Sequence, residues 1–147
     1  MISLITVLLS VVSLSHIHPE DSTAIEKFTL TVKIRGLAPK GQAIVSIFNS
    51  PESFLKSPIR NEYIPLGASR SAEIVIHSLP AGVYAVSVVH DKNGDGKLAT
   101  GLFGIPTEHV GFSNNAKGML GPPSFDKACF ALNHSSDIEI AVAKIRP

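Results

Sequence analysis

The sequence predicts an all-β fold: one antiparallel β-sandwich of about seven strands, immunoglobulin-like or transthyretin-like, with one long loop. Three observations carry this. Several segments alternate apolar and polar residues, the period of a half-buried strand. Gly, Pro and Asn punctuate the chain between those segments at short intervals. No stretch of useful length shows the apolar spacing of an amphipathic helix.

FTLTVKIR (28–35) opens the domain. Phe28, Leu30, Val32 and Ile34 point one way and Thr29, Thr31, Lys33 and Arg35 the other. GLAPKG turns the chain, and QAIVSIFN (42–49) follows, apolar enough for a central strand. In SPESFLKS (50–57) Ser50 can cap and Pro51 suits a first helical position, so one short helical turn is expected. YIPLG reads as a short edge segment, because Pro65 cannot donate to a ladder. SAEIVIHSL (71–79) alternates, with Ala72, Ile74 and Ile76 on one face, and VYAVSVVH (83–90) is a strand rich in β-branched residues. Residues 91–126 then form a long Gly-, Pro- and Asn-rich stretch. A loop of that length in a compact domain is usually functional. KACFALN (127–133) and DIEIAVAKI (137–145) read as the closing strands, with Ile138, Ile140 and Val142 on one face of the last.

Residues 1–15, MISLITVLLSVVSLS, carry no charge and are apolar from Leu4 to Leu14, with small residues at Ser13 and Ser15. The run is short for a membrane span and fits the core of a signal peptide, although no Lys or Arg precedes it. The expected organisation is a leader over 1–15, a flexible segment over 16–27 and one sandwich domain over 28–147. The expected location is secreted or periplasmic, with no stable membrane span after cleavage. Thirteen Lys and Arg stand against twelve Asp and Glu, a net charge of +1. No basic patch supports nucleic-acid binding. The single cysteine, Cys129, excludes an intrachain disulfide; its apolar setting in KACFAL predicts a small buried hydrophobe.

VVHDKNGDGKL, GIPTE, GFSNNA and GPPSF together resemble the bacterial domain of unknown function 2141 family, over roughly residues 28–145. The resemblance implies an exported single-domain β-sandwich. It implies no activity and no site residues, because the family has none assigned. Ala99 stands after GDGKL, where many members of that family have Asp.

The sharpest chemistry lies in DKNGDGKLATG (91–101). Calcium takes six to eight oxygen ligands, which a turning loop supplies from alternate positions. Asp91, Asn93 and Asp95 occupy positions one, three and five, Gly96 the sharp bend, Lys97 a backbone carbonyl, and Leu98 the apolar anchor. The second half fails: Ala99 stands at nine and Leu102, not Glu, at twelve. Glu108 or Asp126 could complete a shell. The competing reading is a turn, since Asn93-Gly94 is a hairpin signal and Asp and Asn side chains bond their own backbone. Both readings stand, with calcium the only cofactor the domain itself suggests.

A second candidate surface is GFSNNAKGMLGPPSF. Phe112, Ser113, Asn114 and Asn115 could take a sugar or peptide, or they could tie down the loop backbone and plug the sandwich edge. Among the histidines, His77 falls on a polar strand face. His90 could cap the 91–101 loop or join a metal shell, and the spacing of the rest gives a weak zinc case. Cleavage after Ser15 would leave His16-Ile17-His18 at the mature terminus, a copper-chelating arrangement. Glu108, His109 and Ser113 are neighbours in sequence, but no nucleophile elbow is present. The leading expectation is a non-enzymatic binding or structural module of the cell envelope, taking an unidentified ligand or protein there, with 91–126 as its working surface. The alternative is a secreted copper or hydrolytic enzyme.

Overall fold

A computed structural model describes residues 25–101, 107–119 and 121–144. Among the described residues, nine strands form two packed sheets: β1 (Lys27–Arg35), β2 (Gln42–Phe48), β3 (Arg60–Pro65), β4 (Ser71–Pro80), β5 (Gly82–Asp91), β6 (His109–Phe112), β7 (Phe130–Leu132), β8 (Ser136–Ala141) and β9 (Ala143–Lys144). The smaller sheet runs β4-β1-β8 and the larger β3-β2-β5-β6-β9, with β7 also pairing β5. This is the expected sandwich. The leader and most of the 16–27 segment lie outside the described residues. No helix among those described is long and apolar enough to cross a membrane.

The alternation read from the sequence becomes the core. Leu30, Val32 and Ile34 of β1, Ile76 of β4 and Ile140 of β8 face Val45, Ile47, Val86, Val88 and Leu132 of the larger sheet, all buried in one cluster. Turn chemistry fixes how strands meet. Gly41, at φ +80°, sits against β5: a Cβ there would lie 2.2 Å from the Asp91 carbonyl oxygen. Only glycine accepts both that conformation and that approach.

Four expectations are corrected. The pairing is not purely antiparallel, since β8 runs parallel to β1 in a register from Leu30↔Ser136 to Arg35↔Ala141. The 91–126 stretch is not one loop. β6 lies inside it and pairs β5 from Ser87↔Phe112 to His90↔His109; four residues, one of them Gly111, are too few to register as a strand by periodicity. KACFALN does not begin as a strand. Phe125–Ala128 form a single helical turn, α1, closed by the Cys129 amide donating to the Phe125 carbonyl at 2.8 Å. The turn buries Phe125 and Ala128 together, which leaves β7 only three residues. The last strand is broken at Val142, whose amide donates to the Arg35 carbonyl at 2.9 Å, so β8 stays in the smaller sheet and β9 passes to the larger.

Candidate functional site

Both faces of the larger sheet are covered, but differently. On the outer face, cross-strand register lines residues up in rows. One row is Asn61–Ser46–Ser87–Phe112 and the next is Tyr63–Ile44–Val89–Val110. Alternation puts these on the side opposite the main core.

One end of this face is closed by a second, aromatic cluster. Phe54 stands edge-on to Phe48, Phe112 and Phe125, with ring centroids 5.3, 6.3 and 5.8 Å away. The edge-on geometry sets the positive rim of one ring against the face of the next. Phe54 is carried there by the 50–57 turn, where the Ser50 hydroxyl accepts the Ser53 amide and the Phe54 amide donates to the Ser50 carbonyl. The expected capping by Ser50 is present, in a run of turns rather than a helix.

The other end is closed by the 91–101 loop. Asp91 is fully buried. Its Oδ1 accepts the Gly94 amide at 2.8 Å, and its Oδ2 accepts the Gly96 amide and the Gln42 side-chain amide, each at 2.8 Å. Burial pushes the Asp91 carboxyl up, but the bonds from Gln42 and from the Gly96, Gly94 and Asp95 backbone outweigh it and hold the group below the usual carboxylate range. Glu108, also buried, accepts the Lys92 amide on Oε1 and the Ala99 amide on Oε2, both at 3.1 Å. Asp95 accepts the Lys97 amide and the Asn93 side-chain amide. Amide donors thus engage the carboxylates expected as calcium ligands, and these bonds close the loop. The described residues hold no group of three or more His, Cys, Asp or Glu side chains arranged to ligate a metal. Glu108 does reach the loop; Asp126 sits exposed in α1. Leu98 is not an anchor in the core but stands 42 % exposed.

Between the two closed ends lies a groove of about 360 Å³. Ile44, Val89 and Val110 form apolar wall, Tyr63 and Leu55 stand at one side, and Gly96 and Leu98 come from the loop. The hydroxyls of Ser46 and Ser87 and the amide of Asn61 also line it. None of these three side chains makes a hydrogen bond among the described residues. They are free to meet a ligand. Ser46 and Ser87 were not singled out in the sequence: each reads as one polar residue in an otherwise apolar strand. Their register, which no single strand shows, is what sets them side by side.

The predicted ligand residues divide. Phe112 lines the groove. Ser113 is buried, its hydroxyl donating to the Ala128 carbonyl at 2.6 Å and accepting the Val86 amide at 2.9 Å. Asn114, at φ 58°, donates to the Cys129 carbonyl at 2.8 Å, and Asn115 accepts the Ala141 amide at 2.9 Å. These side chains pin the segment after β6 to α1 and β8. Glu108, His109 and Ser113 diverge. Glu108 caps the loop, Ser113 holds backbone, and the His109 ring stacks on His90 with centroids 6.1 Å apart. His90 does not cap the loop: it is buried on the inner face, its Nε2 3.0 Å from the Lys40 carbonyl. Burial, with help from Lys92, His90 and Lys144, lowers the His109 pKa. His77 is exposed, as expected. Cys129 is half-buried rather than buried, against the aromatic cluster. His16 lies outside the described residues.

A family model for an uncharacterized protein conserved in bacteria, DUF2141, matches residues 32–140. The chain belongs to this family. That match covers every element of the groove, from β2 to β6. No curated protein and no solved structure matches the chain. The DUF2141 family carries no assigned activity, so the reading of function rests on the site itself.

Proposed function

We propose that this DUF2141 chain is a non-enzymatic binding module that takes a small, largely apolar molecule in the outer-face groove. One observation carries the reading: three polar side chains without partners, Asn61, Ser46 and Ser87, form one row on an apolar floor between two separately built walls. Ligand sites are typically apolar clefts with a few placed polar groups, and 360 Å³ falls within their usual size. The loop of 91–101 and the segment carrying Pro122 supply part of the lining, so the working surface overlaps the stretch singled out by sequence. The leader-like residues 1–15 support an exported protein acting in the cell envelope.

The 91–101 loop serves as one wall, held by Asp91 and Glu108. Calcium, where it binds, adds to the order of a wall already closed by amide bonds. At millimolar calcium the melting temperature therefore moves by less than about 2 °C. A larger, chelator-reversible rise that vanishes in Asp95→Ala would make the loop an ion site instead.

The groove is tested with the neutral fluorescent probe N-phenyl-1-naphthylamine. Saturable binding is expected, weakened at least about fivefold in Tyr63→Ser and Leu98→Ser, whose exposed side chains can be shortened without opening the core. Binding unchanged in both variants would place the probe elsewhere and refute the groove.

A further inference from the structure

A second cleft, of about 630 Å³, adjoins the groove beyond β6, and the two share Val110 and Phe112 in their walls. Its floor is apolar: Val110, Phe112, Ala116, Ala141, Ala143 and Pro123 line it. Its charged lining is of one sign. Arg35, Lys117 and Lys144 reach it, and no carboxylate does. Arg35 is partly neutralised by Glu139 at 3.0 Å. Lys117 and Lys144 make no ion pair among the described residues. The position of these lysines is set by structure. Asn115, bonded to the Ala141 amide, fixes the turn that carries Lys117 beside β8. The pairing Val110↔Ala143 brings Lys144 to the same edge.

We infer that this cleft recognises the anionic group of an amphipathic organic anion, its charge at Lys117, Lys144 and Arg35 and its apolar body across Val110 and Phe112 into the groove. The placement of the apolar body rests on the groove reading; the cationic end stands independently. Charge complementarity selects the class. A purely apolar ligand would make no use of the two ammonium groups, and a bare inorganic anion would leave the apolar floor unused. A carboxylate, sulfonate or phosphate ester on a hydrophobic body satisfies both.

A matched pair of probes tests this. 8-Anilinonaphthalene-1-sulfonate is N-phenyl-1-naphthylamine with one added sulfonate, and both report by fluorescence. At low salt the sulfonate is expected to bind the full mature chain about tenfold more tightly than the neutral probe, and the advantage should shrink as salt rises. The double variant Lys117→Met/Lys144→Met should abolish that advantage and leave the neutral probe's affinity unchanged. Lys27→Met, at the far end of β1 from Arg35, should change neither. Sulfonate binding no tighter than the neutral probe would overturn the inference and leave the groove reading intact. An advantage that survives the double variant, or disappears in Lys27→Met, would also overturn it. Sulfonate binding lost in the double variant, with no binding of the neutral probe, would sink the groove reading and uphold the cationic cleft. Binding of neither probe would refute both.

Discussion

The two faces of the larger sheet are built from the same strands and serve opposite ends. On β2 and β5 the inner residues Val45, Ile47, Val86 and Val88 are fully buried against the smaller sheet. The intervening outer residues Ser46, Ser87 and Val89 face only an aromatic cluster at one end and a hydrogen-bonded loop at the other. A face covered by a second sheet is core. A face closed only at its ends leaves a trough between them, and there polar side chains can stay unpartnered without the cost of full burial. On the proposed reading, one side of each strand carries stability and the other recognition.

The sharpest way to break that contrast is to cut into both sides. Ile47→Ala on the inner face should cost about 2–5 kcal/mol in denaturant unfolding, because a fully packed site cannot collapse around the lost atoms. Ser87→Ala, one face away, should change stability by less than about 0.5 kcal/mol and show its effect in probe affinity instead. Equal costs at the two positions would erase the distinction.

The walls come next in size. Asp91→Ala leaves the Gly94 and Gly96 amides and the Gln42 amide without their acceptor. About 2 kcal/mol of stability should be lost, with faster amide exchange confined to 92–99 and weaker binding in the groove. Exchange that stays slow in those residues would show that the loop does not depend on Asp91.

The smallest effect is a pH dependence. The lowered pKa of His109 means the folded chain holds this ring neutral more readily than the unfolded chain does. Its contribution is complete above the ordinary value of 6.5 and is lost as pH falls from there through the lowered folded value. Urea unfolding of the parent should therefore weaken on acidification below 6.5, and His109→Asn should flatten that slope. An identical slope in the variant would assign the dependence to other groups.

Much of the fold was legible because burial follows a period of two. β1, β2, β4 and β5 are readable from alternation and β-branching to within a residue or two of their ends. What escaped was non-local. The parallel pairing of β8 with β1 and the four-residue β6 depend on partners more than a hundred and about twenty residues away in sequence, respectively. The turn at Phe125 exists to bury one ring beside Phe54. The candidate site was half legible for the same reason. The loop motif and Phe112 stand out locally, whereas Ser46, Ser87 and Asn61 become a set only through cross-strand register. Asp91 stands out in the sequence as a loop carboxylate; that it accepts amides from Gln42, Gly94 and Gly96 is visible only in the fold.

The central claim is that the outer face binds and the inner face does not. Methyl NMR of the chain titrated with N-phenyl-1-naphthylamine tests it most directly, because the two sets of methyl groups alternate along the same strands. The account predicts saturable shifts at Ile44, Val89 and Val110, with Val45, Ile47, Val86 and Val88 unmoved. Shifts confined to the inner set, or saturation with Ile44, Val89 and Val110 all unmoved, would contradict it.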